Sequence, residues 1–353
     1  MVMKKVFWII LCMFFILPVI FAENMKLHYE RPAEYFEEAL VIGNGTMGAT
    51  LYGGVKKDKI SFNDITLWTG EPESENSSPD AFNAIPEIRA LLDNEDYQGA
   101  DKAQYKVQGH YSENYQPLGT LTIEYLDDTV GISDYHRWLD IGNATARTQY
   151  LKGGKLFTSD YFASAPDSVI VIRLKSENKE GIHALLSFDS PLPHSSQVAD
   201  NEISVEGYAA YHSFPVYYKA EDKHRYDPER GIHFKTLVRV LSVDGRVKNR
   251  YSDSRIEIDG STEVLIWVAN VTSFNGFDKD PVKEGRNYRS HVEKRMKCAI
   301  GKTYDALREA HIRDYKYYFD RVKLDLGDTD DDIAALPTDS YFFIPIVSNE
   351  IQI

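Results

Sequence analysis

The segment from residue 61 to 70, Ser-Phe-Asn-Asp-Ile-Thr-Leu-Trp-Thr-Gly, holds the most suggestive group of chemically useful side chains. Asp64 has Asn63 beside it and Trp68 four residues later. A carboxylic acid in such a place could protonate a glycosidic oxygen while the indole ring packs on a sugar face. That chemistry needs a second carboxylate at a set distance, which a sequence with 54 acidic residues does not identify. The alternative, which we favour, is a turn in which Asn63 and Asp64 accept backbone hydrogen bonds and Trp68 packs inside.

Other patterns of reactive residues predict no metal and no cofactor. Gly43, Gly45 and Gly48 have the spacing of a dinucleotide-binding loop, but residues 49–55 after them have the character of a strand, not of a helix. We therefore expect these glycines to serve tight turns and close strand approach. The ten histidines show no zinc-site spacing, and no serine or cysteine hydrolase motif occurs. Three histidines fall within 22 residues, so that two of them could meet, although surface or core positions are the simpler interpretation: His212, His224 and His233.

Composition and charge limit the class of protein. The chain has 353 residues, of which 43% are hydrophobic and 27% charged, as in globular proteins. Its formal net charge of −14 argues against nucleic acid as a partner, because general nucleic-acid binding needs a basic surface.

Residues 1–22 have the pattern of a secretory signal peptide. Lys4 and Lys5 precede an apolar run from Val6 to Phe21, and the small residue Ala22 ends it. We expect export to the periplasm or the extracellular space, with no stable membrane insertion after cleavage. The alternative is an uncleaved anchor, because the apolar run is nearly long enough to cross a bilayer.

Strand patterns dominate from about residue 27 to 277. Val169–Leu174 is a β-branched run between turn residues, and residues 203–206 and 255–258 alternate between apolar and polar. Val264–Val271 is longer and more uniformly apolar. Many short strands separated by turns predict a mainly β fold, an antiparallel sandwich or barrel.

Two regions have helical spacing instead. Around residues 85–92 the pattern predicts a helix with Asn83 as a cap and Pro86 in the first turn. After about residue 285, apolar residues recur with a period near 3.6, which predicts one long helix or two that end before Arg321. The residues in that pattern are Tyr288, Val292, Met296, Tyr304, Leu307, His311, Tyr315 and Phe319.

Several motifs follow one another in a specific order over about 250 residues. They are Glu-Ala-Leu-Val-Ile-Gly-Asn-Gly at 38–45, Asn-Asp-Ile-Thr-Leu-Trp-Thr-Gly-Glu-Pro at 63–72, Tyr-Gln-Pro-Leu-Gly at 115–119, Tyr-His-Arg-Trp-Leu-Asp at 135–140, Phe-Ala-Ser-Ala-Pro-Asp at 162–167 and Gly-Ile-His-Phe at 231–234. Together they resemble the start of glycoside hydrolase family 95, whose members are α-L-fucosidases with some α-L-galactosidases. Three positions depart from the family pattern. Asp64 stands in place of the usual Glu, Thr120 in place of Asp, and Ser159-Asp160 in place of Arg-Glu.

The resemblance implies an antiparallel β-supersandwich N-terminal domain over residues 26–280 and a short helical linker with the start of the catalytic region over 285–340. It also implies an (α/α)6 barrel that holds the general acid and the residues that position the attacking water. Twelve helices of about 11 residues need more than roughly 130 residues, and 68 follow residue 285. We therefore expect the barrel to be missing, predict no catalytic residue, and interpret 341–353 as a divergent tail after a premature end, such as a frameshift.

Three functional hypotheses follow from these observations. In the first, the chain is the N-terminal part of an exported α-L-fucosidase-like enzyme that acts on fucosylated glycans, and it is inactive alone. In the second, it is a carbohydrate-binding module that holds a glycan through Trp68, Tyr115 and Gln116, with Asn63 and Asp64 in the same candidate substrate-binding set. In the third, it is a structural domain on which those residues form a surface that docks the barrel.

Overall fold

A computed structural model describes residues 25–72, 80–109, 111–127, 130–324, 327 and 330–343. The predicted signal peptide and residues 344–353 of the predicted tail lie outside these ranges. Within them, no helix combines the length and the apolar character needed to span a membrane.

The described residues form eighteen strands in two large antiparallel sheets and one small one. In chain order the strands are β1 (Lys26–Tyr29), β2 (Leu40–Gly43), β3 (Met47–Leu51), β4 (Lys57–Asp64), β5 (Gly119–Tyr125), β6 (Ile132–Asp140), β7 (Thr145–Lys152), β8 (Lys155–Ser164), β9 (Val169–Ser176), β10 (Ile182–Asp189), β11 (His194–Ala199), β12 (Glu202–Tyr208), β13 (His212–Ser213), β14 (His224–Arg225), β15 (His233–Ser242), β16 (Arg246–Arg250), β17 (Arg255–Ser261) and β18 (Glu263–Thr272). The nine-stranded sheet has the order β1-β6-β7-β8-β9-β18-β15-β12-β11, and the seven-stranded sheet has the order β16-β17-β10-β5-β4-β3-β2. Strands β13 and β14 pair with each other.

The main hydrophobic core lies between the two large sheets. Leu121 and Ile123 of the seven-stranded sheet are fully buried in the same cluster as Ile170 and Ile172 of the nine-stranded sheet. Strand β5 alternates between buried and half-buried residues, as expected for a strand with one face in a core. The predicted mainly β, antiparallel sandwich is therefore confirmed.

The helices lie outside this sandwich core. They are α1 (Ala81–Asp93), α2 (Tyr97–Ala103), α3 (Tyr288–Ile300), α4 (Tyr304–Phe319) and α5 (Asp331–Ala334), with 3₁₀ turns at Phe36–Glu38, Gln104–Lys106 and Thr338–Phe343. The predicted helical pattern after residue 285 thus forms two helices, and α4 ends at Phe319, before Arg321 as expected.

Helix α3 covers the outer face of the nine-stranded sheet. Val292 and Met296 pack in a second hydrophobic cluster with Trp267 of β18. Strand β18 is consequently buried on both faces, which explains why its sequence is uniformly apolar and does not alternate. Helices α3 and α4 therefore belong to the same packed unit as the sandwich.

The prediction for the first helix is wrong at its start. Helix α1 begins at Ala81, so that Asn83 and Pro86 both lie inside it and not at its cap and first turn. The N–H of Ala84 donates to the carbonyl of Asp80, which forms a turn of helix ahead of the proline. Because Pro86 has no N–H, an otherwise continuous helix lacks one backbone hydrogen bond, the one to the carbonyl of Phe82.

The glycines at 43, 45 and 48 form a hairpin and not a dinucleotide-binding loop. Strand β2 ends at Gly43, which pairs antiparallel with Gly48 of β3. Gly45 has a φ of +83°, which an L side chain rarely adopts. The predicted role of these glycines in a tight turn is confirmed.

Candidate functional site

Asp64 closes the turn that follows strand β4. Its Oδ1 accepts hydrogen bonds from the Thr66 N–H at 2.9 Å and from the Thr66 hydroxyl at 2.6 Å. The N–H of Leu67 donates to the Asp64 carbonyl at 3.0 Å. This is the short-range side-chain-to-backbone bonding that favours Asp in turns.

The same carboxylate also joins the two sheets. Asp64 is 2% exposed, and its Oδ2 accepts from the Asn270 amide at 2.9 Å. Asn270 lies on β18, and its Oδ1 accepts from the Thr236 hydroxyl of β15 at 2.8 Å. The hydroxyls of Thr66 and Thr272 add a second link at 2.6 Å. A buried polar network in which the partners satisfy one another therefore fixes the turn to the opposite sheet.

An arginine of helix α3 extends this network to the outer face of the nine-stranded sheet. Arg295 donates from Nη1 to the carbonyl of Asn270 at 3.0 Å. Burial lowers the pKa of Arg295, and the negative charge of Asp64 acts in the opposite direction. The turn, β18 and helix α3 are thus coupled through one set of polar contacts.

Ile65, Trp68 and Tyr115 form an exposed apolar surface, here called the Trp68–Tyr115 ledge. Trp68 and Tyr115 pair as an isolated bridge, and their rings meet edge to face with centroids 5.5 Å apart. Trp68 is 42% exposed and Tyr115 39% exposed. The expectation that Trp68 packs inside is wrong, because the neighbouring Leu67 fills the interior position and is fully buried.

The indole N–H of the ledge is bonded within the turn, and its one phenol is neutral. The indole N–H of Trp68 donates to the carbonyl of Ile65 at 3.0 Å. Partial burial, with a smaller contribution from the charge of Asp64, raises the pKa of Tyr115 to about 12. Tyr115 therefore carries a neutral phenol over the ordinary pH range.

Gln116 and Asn63 differ in their relation to the ledge. Gln116 is 7% exposed; its N–H donates to the Leu67 carbonyl and its side-chain amide donates to the Tyr115 carbonyl at 3.2 Å. Asn63 is exposed on the face of β4 opposite to Asp64 and lies over Gly48, where a Cβ would come within 2.8 Å of Asn63 Oδ1. The fold therefore brings Asp64, Trp68, Tyr115 and Gln116 together and leaves Asn63 on the other face.

A second polar cluster adjoins the ledge at Glu113, a residue that the sequence interpretation did not include. This carboxylate accepts hydrogen bonds from Thr69, from the N–H of Ser213 at 3.0 Å and from His212 Nδ1 at 2.7 Å. Ser213 is fully buried, and its hydroxyl lies 2.7 Å from His224 Nδ1. Of the three histidines close in sequence, His212 and His224 thus lie on paired strands, whereas His233 lies on β15.

Comparison with known proteins identifies the family. A protein-family model described as glycosyl hydrolase family 65, N-terminal domain, matches residues 27–276 of the sequence. The chain belongs to this family.

Relatives of this glycosyl hydrolase N-terminal domain carry the name predicted from the motifs. "Alpha-L-fucosidase 2" of Arabidopsis thaliana is 29% identical over 317 residues, which cover 86% of this chain and 37% of the relative. "Probable alpha-fucosidase A" of Aspergillus oryzae is 26% identical over 306 residues, which cover 83% of this chain and 40% of the relative. The chain thus spans about two fifths of the length of these curated relatives, and the resemblance to α-L-fucosidases of family 95 is confirmed.

A solved structure, "Putative kojibiose phosphorylase from human microbiome", has a TM-score of 0.49 and 10% sequence identity. The structural match covers 85% of this chain and 38% of the chain in the solved structure.

Among the described residues of this N-terminal domain, the side chains that could hold a metal ion are His28, Glu30 and His136, near the edge of the nine-stranded sheet. His28 and His136 lie on β1 and β6, and Glu30 follows β1, so the group is separate in sequence from the Trp68–Tyr115 ledge. The spacing of the histidines along the chain gives no local signal for this group.

Proposed function

We propose that the chain is the N-terminal β-domain of an exported α-L-fucosidase-like glycoside hydrolase and does not itself carry the catalytic residues. The names of the relatives and the two fifths of their length that the chain spans support this proposal. Export rests on the signal-peptide pattern of residues 1–22. The substrate class is a fucosylated glycan.

The observation that carries the non-catalytic role is the state of Asp64. A general acid must reach the glycosidic oxygen of a bound sugar. The Asp64 carboxylate is 2% exposed and accepts bonds from Thr66 and Asn270, which leaves it facing the interior. We therefore assign Asp64 to positioning the turn, and the ledge outside it to contact with a partner.

We expect the purified chain to release no measurable product from a chromogenic α-L-fucoside. The assay runs at equal molar concentration beside the full-length A. thaliana relative, which shares the domain and serves as a positive control. Turnover within about tenfold of that control would contradict the proposal and would place an active site inside this chain. Loss of such turnover in Asp64→Asn would then identify the acid.

The ledge fits a docking surface for the catalytic part of such an enzyme better than it fits a sugar site. Sugar recognition needs polar groups that bond hydroxyls as well as rings that stack. The Trp68 indole N–H, the Gln116 amide and the Asp64 carboxylate are already bonded within the protein. Apart from the Tyr115 hydroxyl, the ledge offers a partner apolar ring and methyl surface, which is typical of a protein contact.

We expect Trp68→Ser to reduce concentration-dependent self-association of the isolated chain. Removing an exposed ring from a contiguous apolar surface removes area that another molecule can bury. Sedimentation velocity over a range of protein concentrations measures the effect, with Phe277→Ser as a control because Phe277 is 89% exposed outside the ledge. Equal self-association of the wild type and both variants would contradict a docking role. Saturable heat on titration with fucosylated oligosaccharides, lost in Trp68→Ser, would favour the binding module instead.

A further inference from the structure

His28, Glu30 and His136 meet at the edge of the nine-stranded sheet. His28 lies on the edge strand β1, Glu30 follows it by two residues, and His136 lies on the neighbouring strand β6. Tyr29, the last residue of β1, pairs with Arg137, and Glu30 and His136 are the residues adjacent to this pair. One ligand atom from each of the three side chains lies within 4.8 Å of the others.

The two imidazoles already have the separation that a tetrahedral metal ion requires. His28 Nε2 and His136 Nδ1 are 3.2 Å apart. Two nitrogens bound to zinc at 2.0–2.1 Å with a tetrahedral angle are about 3.3 Å apart. Glu30 is exposed, so its carboxylate can approach the ion without disturbing the core. A shift in register between Ser133 and His136 bends β6 just before the ligand, and such bulges commonly re-aim a side chain.

A bound ion would replace the direct contact between the two imidazoles. Without an ion, one of the two facing nitrogens has to donate a proton to the other.

We propose that His28, Glu30 and His136 bind a divalent transition-metal ion with zinc-like coordination. Two imidazoles and one carboxylate are a ligand set that zinc accepts, and they leave a fourth position for water or another oxygen. The 3₁₀ turn Thr338–Phe343 packs against β1 at this point. The hydroxyl of Thr338 accepts a hydrogen bond from the backbone N–H of His28 at 2.8 Å. The ion would therefore fasten the edge strand β1 to β6, close to this 3₁₀ turn.

Titration with Zn²⁺ alone tests the proposal on the full chain, prepared without a polyhistidine tag. Isothermal titration calorimetry is expected to show one equivalent of zinc bound. Loss of a group that only orients a ligand weakens metal binding by about 10–100-fold, so loss of a ligand itself should weaken it by about 100-fold or more. We expect this for His28→Gln and for His136→Gln. The matched control is His291→Gln, because His291 is an exposed histidine on helix α3 outside the group.

Cobalt substitution of the wild type gives a test that does not depend on folding of a variant. Co²⁺ bound in a four-coordinate site of nitrogen and oxygen ligands is expected to show visible absorption of much higher intensity than aqueous Co²⁺. Excess Zn²⁺ should remove this absorption. Absence of a one-to-one zinc isotherm, equal weakening in His291→Gln and His136→Gln, or an aqueous-like Co²⁺ spectrum would each overturn the proposal.

Discussion

Asp58→Asn is expected to raise the free energy of unfolding at pH 7 by up to about 3 kcal/mol. Asp58 is 2% exposed on strand β4, where its carboxylate accepts from the Tyr161 hydroxyl and from the Gly54 N–H, each at 2.9 Å. Burial raises its pKa from the usual 3.8 to about 6, because the ionised form loses more hydration than these bonds return. A shift of this size corresponds to about 3 kcal/mol at 1.36 kcal/mol per pKa unit. Asparagine has the same shape and carries no charge.

The pH dependence of this effect has a defined sign. Between pH 3.8 and about 6 the folded protein holds the Asp58 proton and the unfolded chain has released it. The folded state then binds more protons, so this group's contribution to stability is complete below pH 3.8 and is lost as the pH rises through 6. The Asn variant has no such loss, so its advantage over the wild type should grow from pH 4 to pH 7.

Urea unfolding of both proteins at several pH values between 4 and 8 measures this difference. Subtracting one unfolding free energy from the other cancels the contributions of carboxylates that both proteins share, including those whose effect on stability has the opposite sign. Glu38 is one of these, since its hydrogen bond with Arg31 lowers its pKa to about 2. Parallel stability profiles for the wild type and Asp58→Asn would show that the buried carboxylate is not the source of the dependence.

The sandwich could be predicted because strand signals are local. Alternation and turn residues mark each strand, and the uniform run at Val264–Val271 already differed from the others. The uniform pattern arises because this strand is buried under helix α3. That burial is a contact between parts of the chain that are distant in sequence, so local signals do not predict it. Pro86 shows the limit of local rules: proline favours a first turn, yet a helix that has already begun at Ala81 tolerates it at the loss of one bond.

The candidate site also has features that the sequence predicts and features that it does not. The turn at Asp64 is a short-range pattern and was predictable, because its bonds to Thr66 span two residues. The exposure of Trp68 depends on which of two adjacent side chains faces the core, and Leu67 occupies that place. The contact of Glu113 with His212 joins residues 99 positions apart through two-residue strands, and no spacing rule predicts such a pair.

Asp64→Ala is expected to lower the free energy of unfolding by about 3 kcal/mol or more, because it leaves the buried Asn270 amide and the turn without their acceptor. Asp64→Asn should lower the free energy of unfolding far less. If the Asn270 amide rotates, its oxygen can accept from the new amide and its nitrogen can donate to the Thr236 hydroxyl. Asn63→Ala is the matched control, since Asn63 is adjacent and exposed and should change stability by about 0.5 kcal/mol or less.

Urea unfolding at pH 7 ranks these three variants. Comparable stability of Asp64→Ala and Asn63→Ala would mean that the carboxylate is not needed to join the turn to β18. A large loss in Asp64→Ala with a small one in Asp64→Asn would mean that hydrogen-bonding shape, and not charge, is what the network requires. That order supports the positioning role, because a carboxylate that faces a substrate and joins no buried network would tolerate alanine with little loss of stability.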